Sequence, residues 1–251
     1  MIQVEQRRLL IGLVLYGLVG LDLPVSQAGG VRDSIPPGYP QSLESELRQL
    51  LSAAERGRPD PALFVELSEI YMGLADDLYM NEEQRRMAYE EGAKAAGRAM
   101  ELQDSNAHAH FLYAANLGSA EQIRGIANAA IKVREIKWHV ARAIELDDHH
   151  AQALQMMGGL LMELPWFLGG NEKLAQEHLE RAIAADGNFT NARILLAKLY
   201  KKQDRIDEAK KQLEAVIHAE HPHYPYTWSR KFKPEAGRML KELLLSVPVA
   251  Q

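Results

Sequence analysis

Nine histidines in a chain of 251 residues are the first side chains with chemistry to offer. The stretch "HAEHPH" sets His218, His221 and His223 close together, and His108 and His110 form a second pair. Neutral imidazoles bind zinc or copper. Neither group is accompanied by a carboxylate-bearing motif or a His-Glu-x-x-His. On a helix His108 and His110 project about 200° apart, so no metal site is expected. "LGGNEK" has the form of a phosphate-cradling turn at a helix N-terminus, but no strand pattern precedes it. Gly-x-Ser-x-Gly, phosphate-loop and dinucleotide signatures do not occur. The absence of cysteine removes disulfides, thiolate metal ligands, a thiol nucleophile and a cysteine-borne lipid. The chemistry that remains is that of binding: no enzyme, no catalytic residue and no cofactor is expected.

The elements that position these residues follow from composition. Apolar residues are 47% and charged residues 25%, which is ordinary globular usage. Aromatics are only 7% and alanine and leucine dominate, which favours helices over sheets. Lys+Arg is 29 against Asp+Glu 34, a net charge of −5 without long runs of one sign, so nucleic acid is not an expected partner. Arg7 and Arg8 precede an apolar run over 9–21, followed by Pro24, Ser26 and Ala28. That order reads as a secretory signal over 1–28, cleaved after Ala28, with a core shorter than the roughly 20 residues a span needs. An uncleaved anchor is the competing reading. The mature chain is then expected to be soluble, periplasmic or secreted, and not a lipoprotein.

Residues 29–41 are rich in Gly and Pro and read as a flexible leader, with a helical repeat domain expected over 42–251. Helical spacing begins at 42–55 with Leu43, Leu47, Leu50 and Leu51 on one side. "RPDP" breaks it, with Asp60 as N-cap and Pro61 at the first helical position. Beyond it, breaks recur between helical stretches and no strand alternation appears. Four segments align: "AAGRAMELQDS", "HVARAIELDDH", "HLERAIAADGN" and "QLEAVIHAEHP". Their small markers are Ala99, Ala143, Ala182 and Val216. Fifteen residues after each of the first three stands another small residue, Ala114, Gly158 or Ala197. The intervals back to the next marker are 29, 24 and 19 residues.

The last unit, 190–223, has the length and small-residue pattern of a tetratricopeptide (TPR) repeat, and 104–223 resembles that family throughout. The fold expected is all-α: a TPR-like solenoid of about four helical hairpins, the first over 61–102, closed by a terminal helix over 234–245. The constant 15 is the passage between hairpins, and the extra residues fall inside the second and third. In the third, "PWFLGGN" is an enlarged turn, with Pro165 stopping one helix and Asn171 capping the next. In the second, they are expected to lengthen the second helix. The stretch from His108 to Ile183 also resembles periplasmic helper proteins of tripartite ATP-independent transporters. It is more loosely similar to the regulator of microtubule dynamics family. The former resemblance implies oligomers, a substrate-binding partner protein and an apolar ligand cleft.

Solenoids bind along the inner face of their first helices. Facing residues here would be His108, Phe111, Gln152, Gln155, Asn191, Ile194 and Lys198, a mixed polar and apolar set suited to an extended peptide. Trp166 and Phe167, beside Gly169 and Gly170, form a rim turn. They either dock a partner or fold back as local core, as such turns more often do. "YPYTWSRKFK" reads as a linker whose Tyr224, Tyr226 and Trp228 pin the last helix. The function expected is a non-catalytic scaffold for a protein partner, with homo-oligomers possible. The alternative is a transporter-associated helper holding an apolar small molecule, marked by a closed cavity lined by Phe111, Tyr113, Met156 and Met157.

Overall fold

The structure, a computed structural model, describes residues 35–246. The expected signal segment, its cleavage point and the start of the expected leader lie outside these residues. Among the described residues the chain is helical without strands. Helix α1 spans Ser42–Arg56. Four antiparallel hairpins follow. The first joins α2, Pro61–Gly73, through a widened π-type turn at Leu74–Leu78, to α3, Glu82–Leu102. The second joins α4, Ala107–Arg124, to α5, Ile126–Leu146. The third joins α6, Ala151–Glu163, to α7, Glu172–Ala185, and the fourth α8, Thr190–Lys202, to α9, Ile206–Ile217. Two short helical turns, Pro225–Thr227 and Trp228–Phe232, lead into α10, Lys233–Ser246.

Side chains at the turns explain where the helices start. Asp60 accepts from the Ala62 N–H with Pro61 behind it, and Asn81 accepts from Glu83 and Gln84. Asn106, His150 and Asn171 accept from Ala109, Ala153 and Leu174. Each satisfies an amide that the helix itself cannot, which is worth roughly 1 kcal/mol.

The repeat markers are the points of closest approach. Ala99, Ala114, Ala143, Ala182, Ala197 and Val216 are fully buried. A Cβ on Gly158 would stand 2.6 Å from Leu179 Cγ, so α6 and α7 meet at a distance that only glycine allows there. Leu179, Leu154, Leu196 and Leu213 fill the seams between helices. Each such side chain contributes roughly 1.5–3 kcal/mol by leaving water. At the N-terminal end α1 lays Leu43, Leu47 and Leu50 over Ile70 and Leu74 of the first hairpin. Leu51, expected on the same side, is partly exposed. At the other end α10 packs on α9, as a solenoid's last apolar face requires.

Two details of the hairpins differ from expectation or refine it. The extra residues of the second hairpin lengthen both of its helices, not the second alone: α4 has 18 residues and α5 has 21, against 13 and 12 in the fourth hairpin. The chain reverses at Gly125 alone, with φ +119°, a conformation that side-chain-bearing residues rarely adopt. In the third hairpin the enlarged turn is where the spacing put it. Leu168, Gly169 and Gly170 donate to the carbonyls of Pro165, Trp166 and Pro165, and the Asn171 N–H reaches back to Leu161 O at 2.8 Å.

Candidate functional site

The inner face is built by α2, α4, α6 and α8. Its N-terminal half carries a hydrogen-bonded chain. The Ala153 N–H donates to His150 Nδ1 at 3.2 Å, so His150 keeps its proton on Nε2 and donates to His108 Nδ1 at 2.9 Å. His108 in turn donates from Nε2 to Glu69 Oε1 at 2.7 Å. One capping bond therefore fixes both tautomers, and Glu69, 4% exposed, is the carboxylate at the end of the chain. Phe111 lies against both imidazoles, with ring centroids 5.6 and 5.2 Å away. Burial, reinforced by His108, lowers the His150 pKa to about 3.

A second pair sits where α4 meets α5. His110 Nδ1 and His139 Nδ1 are 2.9 Å apart, and His110 Nε2 donates to Asp104 O. Burial, with His110 beside it, lowers His139 to about 4. The two histidines at 108 and 110 thus serve different networks. Among the described residues, ligand-like spacing occurs only at Asp147, Asp148 and His149, all exposed. His218, His221 and His223 do not converge: the His223 ring lies 2.5 Å from Asp186 Oδ2.

Farther along the face, Gln152 Nε2 donates to the Tyr224 hydroxyl at 3.2 Å, and Lys198 pairs with Glu235 of α10 at 2.8 Å. Gln155, one turn beyond Gln152, is fully buried, and neither its nitrogen nor its oxygen has a hydrogen-bond partner among the described residues; Asn191, 1% exposed, has an unpaired Nδ2. Ile194 and Phe111 are also buried, at 1% exposure each. The expected open groove is therefore covered. What covers it is the chain's own segment 223–232. Tyr224 is buried against Phe189 at 5.7 Å. Tyr226 meets Tyr39 at 4.9 Å, in the described part of the stretch expected as a flexible leader. Thr227 donates to Asp77, whose carboxyl is raised to about 6 by burial despite that bond and nearby Arg230. Trp228 Nε1 donates to Val216 O at 2.8 Å. The segment thus spans the face from the last hairpin to the first. The linker reading of "YPYTWSRKFK" expected Tyr224, Tyr226 and Trp228 to pin the last helix; Trp228 ties the start of that helix to α9, and the long-range packing on Phe189 and Tyr39 lay beyond that reading.

The rim turn also departs from expectation. Trp166 is 85% exposed and Phe167 65%. They do not fold back because the turn's backbone is bonded to itself and to the end of α6, and Lys137 Nζ reaches Gly169 O at 3.2 Å, leaving these side chains to project outward. The apolar cavity that would mark a small-molecule helper is replaced by core: Phe111, Met156 and Met157 are buried in the main cluster, and the Tyr113 hydroxyl donates to Glu135 at 2.7 Å.

Comparison with known proteins agrees with this architecture. Residues 169–229 match a tetratricopeptide repeat model. A crystal structure of a thermophilic TPR protein from Thermus thermophilus superposes with a TM-score of 0.59 at 14% identity, covering 82% of this chain and 92% of that one, which establishes the shared fold alone. Regulator of microtubule dynamics protein 1 from Bos taurus is 27% identical over 180 residues, 65% of this chain and 56% of its own. The Pongo abelii protein of the same name is 28% identical over 179 residues, 64% of this chain and 57% of its own. This chain spans little more than half the length of those relatives. They correct the expected location: they are mammalian proteins named for regulating microtubule dynamics, so the assignment to a periplasmic or secreted compartment is withdrawn. Much of the stretch likened to transporter helpers falls instead under the model of this looser resemblance, which matches residues 38–165. With half of its residues under that model and a TPR match directly after it, this chain belongs to the regulator of microtubule dynamics protein 1-3 family.

Proposed function

We propose that the protein is a non-catalytic scaffold that binds an extended segment of a protein partner along the inner face of its repeats. The observation that carries this reading is the row of hydrogen-bonding side chains on successive first helices, His108, Gln152 and Lys198, which stay part-exposed beside the chain's own covering segment. Their polar ends are the groups on this face that a partner's main chain can reach. Trp166 and Phe167 form a second contact at the rim, since exposed aromatics on a rigid turn present much apolar area at little entropic cost. The relatives' name makes microtubules, and proteins bound to them, the first place to look for the partner.

The test is site-specific photo-crosslinking in cells, with the photoreactive residue at position 198 on the inner face or 211 on the outer. Position 198 is expected to capture one contiguous partner segment, identified by mass spectrometry, and 211 to capture none. A crosslinked dimer of this chain would instead make the face a self-association surface. Equal capture from both positions would sink the reading. A further expected result is that Trp166→Ala with Phe167→Ala weakens partner binding about tenfold or more while leaving the melting temperature within a degree or two. Buried interface aromatics carry such energies, and neither side chain supports the core here. Unchanged affinity would remove the rim from the interface.

A further inference from the structure

The extra residues of the second hairpin build a feature on the outer side of the array. The turn of the third hairpin meets α5 near its middle, where Lys137 Nζ donates to Gly169 O at 3.2 Å. α5 begins eleven positions earlier, at Ile126, so its first half extends about 16 Å past that turn, at 1.5 Å per residue. The result is a step. The turn is its floor, with Trp166, Phe167 and Leu168 exposed, and the projecting half of α5 is its wall.

The wall carries a stripe of its own. Ile131, Arg134 and Trp138 are all exposed, and their spacing of three and four residues aligns them along one side of the helix. Arg134 stands one turn before Lys137, so the stripe borders the floor. Ile131 is 75% exposed and Trp138 58%, and the Trp138 ring is held by the His139 ring set edge-on at 4.7 Å. Apolar surface of this extent, joined across two elements, marks an interaction site. Its charge is one-sided. Arg134 has no carboxylate partner among the described residues. The neighbouring acids are committed, Glu135 to Lys132 and Tyr113, both at 2.7 Å, and Glu145 to Arg142 at 3.3 Å. The step is concave, so a flat bilayer reaching the floor would be held off by the wall. A helix laid along the corner touches both, and residues spaced by three and four are the ones whose ridges fit between those of another helix.

We propose that this step seats an amphipathic helix of the protein partner. Its apolar side chains, three and four residues apart, lie against Ile131, Trp138, Trp166 and Phe167, and it places a carboxylate opposite Arg134. This deepens the scaffold reading and rests on its rim contact, adding a helical, acidic element to the extended segment.

The probes are two synthetic amphipathic helices of about fifteen residues, long enough to be helical. They share one leucine-and-alanine face and carry either glutamate or lysine on the other. Each is titrated into the whole protein and followed by tryptophan fluorescence. The glutamate peptide is expected to bind at least tenfold more tightly than the lysine peptide, and Arg134→Glu to reverse that order. Ile131→Glu removes apolar area from the wall without touching the core. It should weaken the glutamate peptide about tenfold while leaving the melting temperature within a degree or two. Failure of the glutamate peptide to bind, equal binding by both peptides, or an order unmoved by Arg134→Glu overturns the proposal. So does binding to phosphatidylcholine vesicles, which would make the patch a membrane contact. A dimer that Ile131→Glu separates also overturns it, by giving the step to a second copy of this chain. The inner face is tested apart, at position 198. Capture there without helix binding refutes the step alone, and helix binding without capture upholds the step and refutes the extended-segment reading.

Discussion

Gly170→Ala is expected to unmake the turn of the third hairpin and lower stability by about 3 kcal/mol, the upper end of what overpacking costs. A Cβ at this position would stand 1.7 Å from the carbonyl oxygen of Leu164 and 2.6 Å from its carbon. Both are backbone atoms, so no side-chain rotation relieves the clash. Leu164 closes α6 by donating to Leu160 O, and the Gly170 N–H is itself committed to Pro165 O. Moving either strand of the turn therefore breaks bonds at the end of α6 and unseats Asn171, which caps α7. Gly169→Ala is the control. Gly169 has φ +86°, which costs an L-residue roughly 1 kcal/mol, and its added Cβ would meet only the mobile end of Lys137. Urea unfolding followed by circular dichroism should rank the two, with Gly170→Ala the worse by about 2 kcal/mol, the difference between those two costs. Equal losses would mean that the turn relaxes freely and does not hold the third hairpin in register.

The fold was legible because its determinants are local and periodic. The interval from Ala99 to Ala114, repeated at Ala143 and Ala182, reports the stacking of one hairpin on the next, and stacking tolerates no insertion. The turn at Pro165 was readable for the same reason, since Pro, Gly and Asn act on the backbone beside them. The second hairpin was less legible. Its extra residues include no proline and keep helical spacing, and only the backbone conformation of Gly125 shows where the chain reverses. In a sequence, a glycine inside an apolar helical pattern looks like a tolerated blemish.

The site was legible only in part, and the reason is sequence distance. The repeat phase grouped His108, Gln152, Asn191 and Lys198 on one expected face. The phase could not show that Tyr224 would reach back to Gln152, or that Thr227 would reach Asp77 near the other end of the solenoid. Nor could it pair His108 with Glu69 and His150. Such contacts depend on the superhelical turn of the whole array, which no window of the sequence contains. The exposed Trp166 and Phe167 show the converse. Hydrophobicity argued for burial, but the hydrogen bonds of a six-residue turn left those side chains no core to enter. That exposure makes the rim a candidate contact separate from the inner face.

The same reach gives the protein a stability that falls steeply in acid, and His150 is where the effect should be largest. Its Nδ1 is the acceptor that caps α6, so a second proton has no place except against the Ala153 N–H. With burial and His108 both opposing the charge, the folded state refuses that proton until about pH 3. The unfolded chain accepts it near its ordinary value of about 6.5. Below pH 6.5 the unfolded state thus binds more protons than the folded state. The stabilisation is complete above that value and is lost progressively as pH falls toward 3. At pH 4.5, about two units into this window, the loss from this residue should reach about 3 kcal/mol. His150→Asn isolates it. Asparagine keeps an oxygen for the cap but forfeits the bond to His108, so at pH 7 the variant should be less stable by roughly 1 kcal/mol. At pH 4.5 that order should reverse, because the variant no longer has an imidazole to protonate, while His139 and the carboxylates titrate alike in both proteins. Urea unfolding of the pair at the two pH values measures the crossing. Parallel pH profiles would mean that water reaches His150 in the folded protein, and that the imidazole chain under Phe111 is not sealed.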